Sequence, residues 1–125
     1  MNGPLGAVPP AEQLMTINRD DRNGCVVLVV HGEVDLSTGS RLMEAGSEAL
    51  HQAGGQPVVL DLSDVDFLSS SGMGLLVALH DEGRGMHTAL RVVVDEKRSV
   101  IRPIRTMGLD EVLSLFGSIE EAITA

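Results

Sequence analysis

The sequence predicts an α/β domain built on a mixed sheet of about five strands. Short apolar runs of strand type, at 14–18, 25–31, 57–62, 90–94 and 112–115, alternate with segments whose apolar residues recur at helical spacing. The links between most of them are short, which favours parallel pairing through right-handed crossovers. The first pair differs, because Asn23-Gly24 separates its two runs and both residues tolerate the positive φ of a tight hairpin turn.

Taken in order, residues 1–13 contain Gly3, Pro4, Gly6, Pro9 and Pro10, which block both helix and central strand and read as a flexible tail. The domain is expected over 14–125. The second run, 25–31, is the longer and more buried arm of the hairpin, and Cys25 within it reads as a buried structural thiol. Leu42, Met43, Ala45, Ala49, Leu50 and Ala53 then mark one face of a helix, with Ser37 or Thr38 as its N-cap and Gly54-Gly55 as its stop. Gly39 and Gly46 each cost about 1 kcal/mol against Ala inside a helix, so this helix depends on packing. Close approach to the sheet is the expected reason for Gly46.

Residues 57–62 form a continuous apolar run of the kind buried on both faces. Three serines, Ser69, Ser70 and Ser71, stand between this strand and the almost wholly apolar 73–79, so a loop there enters a buried helix that ends near Gly83 or Gly85. After the strand at 90–94, Ser99 is the expected cap of a short helix reaching Met107, with Pro103 as its fourth residue and Gly108 as its stop. Ser118-Ile-Glu-Glu121 is a capping box, opening a last helix with Ile119, Ala122 and Ile123 on its apolar side.

Composition narrows the chemistry. The net charge of −9 argues against nucleic acid, which needs a basic face. Lys97, Arg98, Arg102 and Arg105 do cluster, and read as a solvated helix face. One cysteine allows neither an internal disulfide nor a thiolate metal site, and His31, His51, His80 and His87 lack ligand spacing. No cofactor is expected. The aromatic residues are Phe67 and Phe116 alone, so stacking platforms for bases or sugars are missing. No apolar run reaches the ~18 to 20 residues of a membrane span and the N-terminus has no signal-peptide pattern, so the protein reads as cytoplasmic.

A helix start carries unpaired N–H groups and partial positive charge, so a hydroxyl there is placed to bind, or to become, an anion. The same serines also suit capping and loop hydrogen bonds. A nucleophile elbow is a poor match, since no glycine stands two residues before Ser70 or Ser71 and no acid-then-histidine order follows. A receiver-like module phosphorylated on Asp61, read as a strand end, lacks the acidic pair after a first parallel strand.

Gly32-Glu-Val-Asp35 at the end of the second strand, and Phe67-Leu-Ser-Ser-Ser-Gly-Met-Gly74 opening the second helix, closely resemble the anti-sigma-factor antagonists built on the STAS domain. That family reads Gly-Glu-Leu-Asp at the first place and Phe-x-Asp-Ser-Ser-Gly-Leu-Gly at the second. The resemblance covers about residues 14–125, and Met107-Gly-Leu109 also falls where the family has a Gly-Leu pair. It implies a single STAS-type domain with helices mainly on one face of the sheet. It also implies a switch without catalysis of its own. The unphosphorylated antagonist binds an anti-sigma factor that is an ATP-dependent serine kinase, which frees the sigma factor; phosphorylation ends binding and a serine phosphatase restores it.

Carried over position by position, the phosphorylated residue is Ser70, with Ser69 and Ser71 as alternatives. The partner-binding set is Asp35, Ser69, Ser70, Ser71, Gly72 and Met73. Ser69 replaces the family's Asp, which removes a charge beside the modification site. That departure leaves a second reading open, a STAS interaction or sensory module that is never phosphorylated.

Overall fold

The computed structural model describes residues 14–98 and 100–125, so the expected tail and the cap at Ser99 lie outside the described residues. Strands β1 (Met15–Arg19) and β2 (Val26–Val34) form the antiparallel hairpin, with Asn23 and Gly24 at φ of 52° and 82° in its turn. Strands β3 (Val58–Leu68), β4 (Leu90–Val93) and β5 (Ser114–Phe116) add in parallel, giving the order β1-β2-β3-β4-β5. Helices α1 (Gly39–Gln52), α2 (Ser70–Gly85), α3 (Ile101–Thr106) and α4 (Ile119–Thr124) connect or follow them. This is the mixed five-stranded sheet expected.

Period-two alternation divides the central strands between two faces. Leu28 and Val30 of β2, Leu60 and Leu62 of β3, and Val92 of β4 join Leu42 of α1, Leu76 and Leu79 of α2, and Ile104 of α3 in the main core. Val27, Val59 and Val93 form a second cluster with Ala122 of α4, with Ile119 and Ile123 packed against it. Three helices therefore share one face, and the six-residue α4 covers part of the other. Arg91 Nη1 donates to the Ala122 carbonyl at 2.8 Å, and Ser118 Oγ accepts from the Glu121 N–H at 3.1 Å.

Several expectations are corrected. A Cβ on Gly46 would lie 2.7 Å from Leu79 Cδ1, so Gly46 makes room for α2 and not for the sheet. Strand β3 runs six residues past Leu62, because 63–68 stays paired with β2 beyond the reach of β4. Ladder irregularities between Val29 and His31 and between Gly32 and Glu33 disturb the apolar alternation there, which hides the strand from a pattern search. Asp61 is thus mid-strand, and its Oδ1 accepts from the Ser63 N–H and Oγ at 2.9 and 2.6 Å. Strand β5 starts two residues later than expected, after a 3₁₀ turn at Leu109–Glu111. Pro103 is the third residue of α3, where its missing N–H costs no helical bond.

Two helical glycines separate packing from propensity. A Cβ on Gly83 would meet the Thr88 carbonyl oxygen at 2.4 Å, whereas a Cβ on Gly74 meets nothing within 4 Å. Gly83→Ala is expected to lose about 1 to 3 kcal/mol through overpacking, and Gly74→Ala to gain about 0.5 to 1 kcal/mol. Urea denaturation of both variants measures the contrast.

Candidate functional site

The parallel β2–β3 ladder shifts register at two places yet stays paired to its last residues, matching Glu33 with Phe67 and Val34 with Leu68. Both chains then leave the sheet together, β2 toward α1 and β3 toward α2. The Ser69 N–H donates to the Val34 carbonyl at 3.0 Å and closes the seam between the two exits. A shallow groove lies between them, lined by Asp35, Leu36, Ser37, Ser69 and Ser71. The structure thus brings Asp35 beside the serine turn.

The three serines differ in what surrounds them. Ser69 is the N-cap of α2, with an extended backbone, and its Oγ accepts from the Gly72 N–H at 3.1 Å. Ser70 and Ser71, in the first turn of the helix, are exposed. No hydrogen bond ties the Ser70 hydroxyl or joins any of the three to a histidine among the described residues. Gly72 lies beneath the turn, where a Cβ would sit 2.8 Å from the Val34 carbonyl oxygen and 2.7 Å from Leu68 Cδ1. Met73 belongs to the main core: with 9% of its surface exposed it supports the turn from below.

Asp35 stiffens the opposite wall. Its Oδ1 accepts from the Ser37 Oγ at 2.8 Å and from the N–H groups of Ser37 and Thr38 at 2.9 and 3.2 Å. Thr38 stands at the N-cap position of α1 but does not cap it with its side chain; the buried hydroxyl donates to the Glu33 carbonyl and accepts from the Asp35 N–H. The Ser37 hydroxyl, followed by backbone N–H groups, holds the Asp35 carboxyl below its ordinary pKa, because these donors favour the ionised form.

Three features of the site escaped the sequence reading. Leu36 is 83% exposed and Phe67 51%, so two large apolar side chains stand at the same end of the sheet as the serines. Arg98 donates to Asp66 at 2.9 Å and lies 3.6 Å from Asp64, which is also 3.4 Å from His31 Nδ1. The acids on β3 are therefore partly balanced. Exposed apolar residues in a strand or loop carry no periodic signal, and the Arg98 contact spans 32 residues.

Residues 17–116 match the family model described as Mlab, STAS domain. The chain belongs to the STAS-domain family. Among its relatives is the anti-sigma-F factor antagonist RsfB of Mycobacterium tuberculosis, 36% identical over 115 residues that cover 91% of each chain. An anti-sigma factor antagonist from Mycobacterium paratuberculosis superposes with a TM-score of 0.78 at 32% identity, over 88% of this chain and 92% of that one. The phosphorylated form of the Bacillus cell-fate determinant SpoIIAA shares the fold, with a TM-score of 0.63 at 20% identity over 87% of this chain and 97% of its own.

In this STAS domain the described residues include no cluster of three or more His, Cys, Asp or Glu side chains arranged to hold a metal. No helix among them is long and apolar enough to cross a membrane.

Because the folded pKa of Asp35 is lowered, its contribution to stability is full above the unfolded carboxylate pKa and is lost as pH falls through the folded value. Asp35→Asn is expected to be less stable than wild type at pH 7, with the gap narrowing below about pH 4. Denaturation curves for both proteins across that range provide the measurement.

Proposed function

We propose that this STAS domain is an anti-sigma-factor antagonist that binds an anti-sigma factor acting also as a serine kinase, releases its sigma factor, and is switched off by phosphorylation of Ser70. The observation that carries the reading is the exposed, unbonded Ser70 hydroxyl on a helix start fixed from below by Gly72 and from the side by Ser69. In the transfer, the Ser70 oxygen forms a bond to the γ-phosphorus of ATP as the bond to the ADP oxygen breaks. The hydroxyl proton passes to a base on the kinase, which also supplies the ATP. A phosphatase reverses the modification.

The physics favours a switch at the interface over one inside the fold. Phosphate adds a charge of about −1.5 to −2. The helix start favours it by only about 0.3 to 1 kcal/mol at an exposed position, so the domain accepts it with little rearrangement. A partner seated over the turn would have to bury that charge unpaired at a cost of several kcal/mol, and each 1.4 kcal/mol is tenfold in affinity. The partner surface comprises Asp35, Ser69, Ser70 and Ser71, supported by Gly72 and Met73 and flanked by Leu36 and Phe67. The relationship to the mycobacterial anti-sigma-F factor antagonist RsfB and to the anti-sigma factor antagonist of Mycobacterium paratuberculosis supports this reading.

One observation favours a second reading. Ser69 caps α2 with a neutral hydroxyl where an acid is the family habit, so a kinase that reads that acid would pass this chain by. The domain would then act as a constitutive interaction module.

Binding to purified anti-sigma-F factor and mass spectrometry of the protein after incubation with that factor and ATP separate the two. Ser70→Ala is expected to bind like wild type and Ser70→Asp at least tenfold more weakly, with phosphate found on Ser70. Equal binding by all three proteins, with no phosphate on Ser69, Ser70 or Ser71, supports the constitutive module.

Leu36 supplies an independent check, since its exposure frees it from any role in the core. Leu36→Ala is expected to weaken the complex about tenfold or more, as truncation of a central apolar anchor does, while the denaturation midpoint of the free domain stays unchanged. Titration calorimetry and urea melts read the two quantities.

A further inference from the structure

The basic cluster Lys97, Arg98, Arg102 and Arg105 does not form one solvated helix face. Lys97 and Arg98 lie in the segment after β4, and Arg102 and Arg105 lie on α3. Together with Glu96, Ile101 and Thr106 they line a groove of about 610 Å³. The lining carries four cations and one acid, and with Asp64 and Asp66, which pair with Arg98, the local net charge is about +1 on a chain whose total is −9. Arg105 is held by Glu96 at 2.6 Å and Arg98 by Asp66 and Asp64. Among the described residues Lys97 and Arg102 form no ion pair, and both are exposed.

Topology sets the groove near the serine turn. Strands β2, β3 and β4 are parallel, so the segment carrying Lys97 and Arg98 leaves the sheet at the same end as Asp35 and Ser69. Arg98 reaches Asp66, three residues before Ser69 on β3, a distance of about 10 Å along a strand. A protein interface of ordinary size removes ~800 Å² from each partner, a patch roughly 30 Å across. One partner covering Ser70 is wide enough to reach the groove.

We infer that the groove formed by Lys97, Arg98, Arg102 and Arg105 docks an acidic segment of the same anti-sigma factor that covers Ser70. The inference rests on the antagonist reading above and adds the second half of its contact surface. Charge complementarity selects the occupant. A nucleic acid would bring its phosphates against the acidic remainder of the chain, and the lining offers no aromatic side chain for stacking. A carboxylate-bearing protein segment fits the two exposed cations, Lys97 and Arg102, that have no ion pair among the described residues. Steering of this kind acts mainly on the association rate and weakens with salt.

The test compares wild type, Lys97→Glu/Arg102→Glu and Ser70→Asp for binding to purified anti-sigma-F factor by stopped flow at 20 and 300 mM salt. The double variant is expected to associate at least tenfold more slowly at low salt, with the difference shrinking to about twofold at high salt. A decaglutamate peptide is expected to compete with wild type and to leave the double variant unaffected. Association within twofold of wild type at low salt, while Ser70→Asp still weakens binding, overturns the docking inference alone. A double variant that changes only binding to DNA or to anionic vesicles overturns it as well. Wild-type protein that binds no anti-sigma factor overturns the antagonist reading and this inference together. Circular dichroism confirms that the two exposed substitutions leave the fold intact.

Discussion

The register between β2 and β3 is the constraint on which the site depends. Their parallel ladder continues to Val34 and Leu68 despite two irregularities, so two loops distant in sequence begin from neighbouring strand ends. A slip of one residue would reverse the faces of β3 and carry the Asp35 loop away from Ser69. Gly32 helps to hold the arrangement. At φ +100° its Cα passes so close to the Leu14 carbonyl that a Cβ would lie 2.0 Å from the oxygen, which leaves glycine as the only residue for that crossing. Gly72 performs the matching service on the other side, letting the first turn of α2 sit directly on Val34.

The charges around the serine turn are already committed. Asp35 is bound into the start of α1, and Asp64 and Asp66 face Arg98 and His31. The turn itself is made of three neutral hydroxyls and a glycine. A phosphate there would be the dominant new charge at the mouth of the groove. Effects on a partner and effects on the fold are separated by this layout, because the groups that hold the turn in place are backbone amides, a cap and buried apolar side chains.

Most of the fold was legible because its central strands and helices obey simple periods. The hairpin followed from Asn23-Gly24, the ends of α1 and α4 from Gly54-Gly55 and Ser118, and the parallel core from apolar runs such as 57–62. What escaped was governed by contacts between distant segments. The extension of β3 through Ser63, Asp64 and Asp66 depends on pairing with β2, since those residues have poor strand character on their own. The close fit of Gly46 on Leu79 is a helix–helix contact that no local pattern reports. In the site, the serine turn was visible from the motif, whereas the depth of Met73, the exposure of Leu36 and the reach of Arg98 needed three dimensions.

The last helix, α4, has a consequence for local opening of the domain. Six residues are too few for a helix to persist in water by itself, so α4 exists only while it rests on Val27, Val59 and Val93 and while Arg91 grips the Ala122 carbonyl. Its detachment is a local opening far smaller than global unfolding, and it uncovers a stripe of valines on three adjacent central strands. The three strands stay paired on both sides, so the opening exposes apolar side chains and no free strand edge. The face of the sheet opposite α1 and α2 is thus the easier one to uncover, through an element that takes no part in the serine turn.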